Sequence, residues 1–175
     1  MTRRQKLFIA GTDTDAGKTL IACGVLEAAR QQGLRTLALK PVAAGAEPVD
    51  GELRNDDALA LMSAMSEPMS YEQVNPVVFE EPIAPHIAAE RAGRRLSAAQ
   101  LAGYCRGAMM RPADLLLVEG AGGWRVPLNQ RETLADLVIE LNLPVVLVVG
   151  MKLGCINHAL LSAEAIRGDG LPLAG

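Results

Sequence analysis

The segment Gly11-Thr-Asp-Thr-Asp-Ala-Gly-Lys-Thr19 restricts the fold of this chain most narrowly, because of what flanks it. Before it, Leu7-Phe-Ile-Ala is a short unbroken apolar run, the pattern of a strand buried on both faces. After it, Leu20, Ile21, Val25, Leu26 and Ala29 recur on one helical face, predicting a helix over 19–32 that Gly33 can end. The alternation then repeats. Thr36-Leu-Ala-Leu reads as a strand stopped by Pro41, Leu115-Leu-Leu-Val as another ending at Glu119-Gly-Ala-Gly-Gly, and Pro144-Val-Val-Leu-Val-Val as a fourth. Residues 134–141 and 157–167 read as helices, and Leu171-Pro-Leu-Ala opens one more apolar run. Wholly apolar strands alternating with amphipathic helices predict an α/β fold, a doubly wound and mainly parallel sheet with helices on both faces.

A length of 175 residues fits one domain. Aromatic residues are only 3% of a chain that is 50% hydrophobic, so the core must be built from Ala, Val, Ile and Leu. Residues 43–85 break the rhythm: five prolines surround a single predicted helix, 56–65, and a connection of that length is usually functional. The last apolar run stops at Gly175 as a strand should be forming, so a C-terminal truncation is expected.

The formal charge of −3 leaves no basic excess to displace counterions, which disfavours a nucleic-acid binder. Cys23, Cys105 and Cys155 form no CxxC pair and read as reduced thiols of a cytoplasmic protein. The apolar run after the charged N-terminus is too short for a leader, and no run is long enough for a membrane span.

Between a strand and a helix, a Gly-Lys-Thr turn is placed to cradle phosphate, which makes the fold one of P-loop NTPase type. Gly17 lets backbone N–H groups approach phosphate oxygens, Lys18 would bridge the outer phosphates, and the Thr19 hydroxyl would ligate Mg²⁺. The first glycine sits one residue early, with Thr12 in its usual place, and a turn that binds nothing is the alternative. Glu119 lies where a ligand crevice opens at the carboxyl ends of parallel strands, and Gly120, Gly122 and Gly123 allow close backbone approach. Alternatively it is a strand-ending acid. Asp57 is open between metal binding and, with Asp56, capping a helix; Lys40 is open between a solvated strand-end lysine and a phosphate-neutralising one. His86 and His158 read as structural histidines, and Met62, Met65 and Met69 as core.

Taken together, these residues resemble the dethiobiotin synthetase family from Phe8 to Gly175. The resemblance rests on the loop at 11–19, Lys-Pro-Val-Ala at 40–43, Leu-Arg-Asn-x-Asp-Ala-Leu at 53–59 and Pro-His at 85–86. It continues through Val-Glu-Gly-Ala-Gly-Gly-Trp at 118–124 and Val-Gly-x-Lys-Leu-Gly-Cys-Ile-Asn-His at 149–158. It implies a reaction: CO₂ adds to one amine of 7,8-diaminopelargonic acid, the carbamate attacks the ATP γ-phosphate, and the second amine closes the ring and expels phosphate.

It also implies roles. Lys18, Lys40 and Thr14 would be catalytic; Asp15, Ala16, Gly17, Lys18, Thr19, Leu20, Asp57, Glu119, Gly120, Ala121 and Gly122 would bind the nucleotide. Thr19, Asp57 and Glu119 would hold Mg²⁺. Thr12, Ala44, Gly154, Cys155, Ile156 and Asn157 would bind substrate, the last four taking its carboxylate tail at a helix N-terminus beside the neighbouring subunit of a homodimer. Two positions depart from the family: Ala44, where Ser or Thr is frequent, and Asp15, where Glu is common. The family's adenine-reading Asn-Asp lies beyond residue 175. A nucleotide-switch ATPase of the partitioning type is the competing expectation; it usually carries a second lysine where Asp13 stands.

Overall fold

The computed structural model describes residues 4–175. Strand β1 (Gln5–Gly11) leads through the phosphate-loop segment into helix α1 (Lys18–Gln31) and strand β2 (Thr36–Leu39). There follow β3 (Val42–Ala44), β4 (Glu47–Val49), β5 (Glu52–Arg54), α2 (Asp56–Ala64), α3 (Tyr71–Val74), β6 (Val77–Phe79), α4 (Pro85–Arg91) and α5 (Ala98–Met109). The chain ends with β7 (Leu115–Glu119), α6 (Leu134–Leu141), β8 (Val145–Val148) and α7 (Cys155–Gly168).

Four strands form a parallel sheet in the order β2-β7-β1-β8. Every residue of β2 and β7 is buried, as the unbroken apolar runs required of strands covered on both faces. The core is aliphatic, with Leu26, Leu37, Leu61, Leu101, Leu116 and Leu117 fully enclosed. Met65 and Met69 belong to it and Met62 packs against it, so the methionine run is core. Past β8, Val145 N–H donates to Pro172 O at 2.8 Å and Leu147 N–H to Gly175 O at 2.9 Å, so the last apolar run lies alongside the sheet as expected.

Residues 43–85 are more regular than the sequence reading allowed. Beyond the one expected helix they hold the parallel pair β3–β6, the short α3 and the antiparallel hairpin β4–β5. The hairpin turns on Asp50-Gly51, both at positive φ (52° and 84°), the left-handed conformation that two-residue hairpin loops demand. Three-residue strands are too short to show a period of two, which hid them. Helix α5 was also unforeseen, although Ser97 caps it and Ala98, Leu101, Ala102, Cys105, Ala108 and Met109 give it one buried face. The first helix starts one residue earlier than expected, at Lys18, and the last two residues earlier, at Cys155.

Candidate active site

Parallel register assembles the site. Ile9 pairs with Glu119 and Leu39 with Val118, so the carboxyl ends of β1, β7 and β2 present Gly11, Glu119 and Lys40 on one sheet edge. A cavity of about 700 Å³ opens above that edge. Its walls include Thr14, Lys18, Thr19, Lys40, Asp57 and Gly122, together with Ala44, Asn55 and the 82–85 turn.

The phosphate loop turns into α1 through Asp15 (φ 56°) and Gly17 (φ 91°), the latter standing as N-cap with no side-chain acceptor for the helix N–H groups. A helix N-terminus left free of a cap offers those donors to an anion. Lys18 is 7% exposed, and its Nζ donates to Asp13 O at 3.1 Å and Gly122 O at 3.0 Å, tying the loop to the glycine turn after β7. Burial, helped by the charge of Lys40, pushes the Lys18 ammonium below its ordinary pKa.

Beside it, Lys40 Nζ lies 2.6 Å from Glu119 Oε1, 2.7 Å from Asp57 Oδ2 and 3.3 Å from Gly120 O. Thr19 Oγ1 donates to the same Glu119 Oε1 at 2.8 Å. Burial would raise the Asp57 pKa, but the Lys40 charge and hydrogen bond prevail and hold it below the usual carboxylate range. The Lys40 backbone is pinned as well: its N–H donates to Val74 O at 2.8 Å, and its carbonyl accepts from Asn75 Nδ2 at 2.6 Å.

The choice left open at Asp57 resolves against capping. Asn55 is the N-cap of α2, its Oδ1 accepting from Ala58 N–H at 3.3 Å. Asp57 is thereby left to face Lys40. The solvated reading of Lys40 also fails, since the residue is 3% exposed and ion-paired.

Thr19, Asp57 and Glu119 suit Mg²⁺ chemically. All three offer hard oxygen donors, and Glu119 Oε2 is buried with no hydrogen-bond partner, an electron-rich atom awaiting a cation. Among the described residues no cluster of three His, Cys, Asp or Glu side chains forms a ready-made cage. Two carboxylates and a hydroxyl would leave the remaining octahedral positions to phosphate and water, as Mg²⁺ prefers.

Other expected residues fall as follows. Thr14, Asp15, Gly17, Leu20, Ala44, Ala121 and Gly122 line the cavity. Gly120 is wedged behind it, where a Cβ would meet Phe8 Cζ at 2.9 Å, and Ala16 packs beneath Gly150. Thr12 does not line the cavity; its Oγ1 accepts the Gly150 N–H at 3.1 Å, joining the loop to the turn after β8. Asp13 and Lys152 form an ion pair across the same joint. Residues 154–157 do not line this cavity either; Cys155–Asn157 form the first turn of α7, with Gly154 as an uncapped N-cap at φ 94°. The sequence reading missed Asn55 and the 82–85 turn as wall residues, although the Asn-x-Asp spacing before a helix carries a capping signal.

A sequence profile of the AAA domain family matches residues 5–175. The chain is 65% identical over 172 residues to the ATP-dependent dethiobiotin synthetase BioD of Cellvibrio japonicus, covering 98% of this chain and 75% of that protein. It is 56% identical over 172 residues to the protein of the same name from Marinobacter nauticus, covering 98% and 74%. The Pseudomonas aeruginosa protein is 63% identical over 168 residues, covering 96% and 74%. Among solved structures, the chimerical protein CapA2B2 superposes with a TM-score of 0.54 at 19% identity, over 98% of this chain and 74% of that one, which is a likeness of fold alone.

Proposed function

Because this chain belongs to the ATP-dependent dethiobiotin synthetase family, we propose that its cavity joins CO₂ to 7,8-diaminopelargonic acid at the expense of ATP. The observation that carries this reading is two buried ammonium groups, Lys18 and Lys40, the latter ion-paired with Asp57 and Glu119, gathered at a helix N-terminus with no side-chain cap. Such a site neutralises charge that spreads over a phosphoryl group in flight.

The carbamate formed from CO₂ and one amine attacks the γ-phosphorus, ADP departs, and a carbamic–phosphoric anhydride results. The second amine then attacks the carbonyl and phosphate leaves with the bond electrons. A carbamate is a weak nucleophile, so orientation carries much of the rate. Lys18 and Lys40 hold the reacting oxygens and offset their charge, and α1 directs N–H groups at the triphosphate. Thr19, Asp57 and Glu119 would hold Mg²⁺, which supplies further charge neutralisation on the phosphates when bound. Ala44 lines the cavity without a hydroxyl, so the diamine lacks one hydrogen bond there, about 0.5–1.5 kcal/mol of affinity.

The start of α7 supports the homodimer. Met151, Leu153, Ile156, Leu160 and Leu161 are 86%, 105%, 76%, 60% and 57% exposed, an apolar face suited to a second copy of the chain. The Ile156 and Asn157 N–H groups, in a first turn with no side-chain cap, would then meet the carboxylate tail of a diamine bound to that copy. The three cysteines are free, which fits a reducing cytoplasm, and no described helix is long and apolar enough to cross a membrane.

Phosphate release with ATP, Mg²⁺ and bicarbonate tests the reaction. The proposal requires release to depend on the diamine. Equal release without it would favour a nucleotide-switch ATPase.

A further inference from the structure

The two carboxylates of the site already possess a cation. An ammonium has three N–H donors, and those of Lys40 meet three oxygens, Glu119 Oε1 (2.6 Å), Asp57 Oδ2 (2.7 Å) and Gly120 O (3.3 Å). None remains for a phosphate. The side chains of Lys40 and Glu119 are 4% and 0% exposed, so water does little to screen either charge. The oxygens so engaged belong to two of the three groups assigned to the metal, and Thr19, the third, donates to the same Glu119 oxygen. A divalent ion on the free Glu119 Oε2 would set its two charges against this ammonium across one buried carboxylate, and their repulsion makes the two cations compete for Glu119 and Asp57.

We propose that Lys40 is a self-supplied counter-cation of the metal pocket, exchanged for the divalent ion when the site is loaded. The inference rests on the reading of Thr19, Asp57 and Glu119 as metal ligands. In nucleotide-free protein the ammonium keeps the fully buried Glu119 carboxylate from being left unpaired, with the half-exposed Asp57 as its second partner. As a divalent ion takes those oxygens, the three donors of Lys40 are released towards the cavity it lines. One lysine thus guards the empty site and becomes available to the transferring group only once metal is in place. Metal binding without nucleotide is correspondingly weak.

The test is a Mn²⁺ titration of nucleotide-free protein, with the free ion followed by electron paramagnetic resonance. Lys40→Met should bind Mn²⁺ about tenfold or more tightly than the unaltered protein, since the competitor is gone. Lys18→Met removes a nearby charge that touches neither carboxylate, and its gain should be much smaller. No gain in Lys40→Met, or an equal gain in both variants, would overturn the exchange. A second measurement needs no variant to fold: the side-chain NH₃⁺ resonance of Lys40, slowed in solvent exchange by its buried bonds, should shift when Mg²⁺ is added. A resonance unmoved at saturating Mg²⁺ overturns the proposal. Neither readout involves dethiobiotin, so failure of the reaction assay and failure of the exchange are separately visible.

Discussion

The Tyr71 hydroxyl accepts the backbone N–H of Asn55 at 2.7 Å, and it donates to Asn75 Oδ1 at 2.8 Å. One phenol thereby supports both arms of the ion cluster. Asn55 caps the helix that carries Asp57, and Asn75 holds the Lys40 carbonyl. Tyr71→Phe keeps the ring but leaves a buried N–H and a buried amide oxygen unpaired. Unfolding free energy by urea titration should fall by about 1–3 kcal/mol. An unchanged midpoint would mean that this phenol holds neither arm.

Lys18→Ala and Lys40→Ala should each lower turnover by about 10²-fold or more, as a preorganised charge at the phosphoryl group is lost. Lys40→Ala should also lose stability, because two carboxylates are left without their buried cation. Steady-state kinetics beside a thermal melt separate the two effects. Near-normal turnover in Lys40→Ala would remove that ammonium from the reaction.

Acid should loosen the fold through Asp57. Its folded carboxyl releases its proton more readily than in the unfolded chain, so the stabilisation is complete above the ordinary pKa of about 4 and is lost as pH falls through the folded value. Asp114, hydrogen-bonded by Arg35, acts in the same direction. Melting temperature should fall from pH 5 to pH 3, and Asp57→Asn should flatten part of that slope. A slope identical in Asp57→Asn would assign the acid loss elsewhere.

Burial pushes the Cys105 thiol up to about 12, so little reactive thiolate exists at pH 8. Its modification by a disulfide reagent should proceed only at the rate of global unfolding, whereas Cys23 and Cys155 are partly exposed. Mass mapping of labelled peptides checks this. Fast labelling of Cys105 in native protein would contradict the packing of α5 against the core.

The heart of the site was legible because parallel strands share an edge: an apolar run ending in Lys40, another in Glu119 and a third in the phosphate loop must bring those residues together. Asp57 was not decidable, since an acid in the first turn of a helix serves capping and catalysis equally well until Asn55 is seen to take the cap. The hairpin was not read, although Asp50-Gly51 is a turn pair, because its strands are too short for alternation to register. Local sequence carries no trace of Lys18 reaching Gly122 O or of Lys40 saturated by three oxygens, because Gly122, Asp57, Glu119 and Gly120 come from other parts of the chain.

The central claim is that this cavity makes a carbon–nitrogen ring from a diamine and CO₂ while ATP gives up its terminal phosphate. Incubation with ¹³C-bicarbonate, MgATP and 7,8-diaminopelargonic acid, read by mass spectrometry beside phosphate release, tests it most directly. The account predicts dethiobiotin carrying one ¹³C, formed in equal amount to the phosphate and absent when any component is omitted. Phosphate released without labelled dethiobiotin would contradict it.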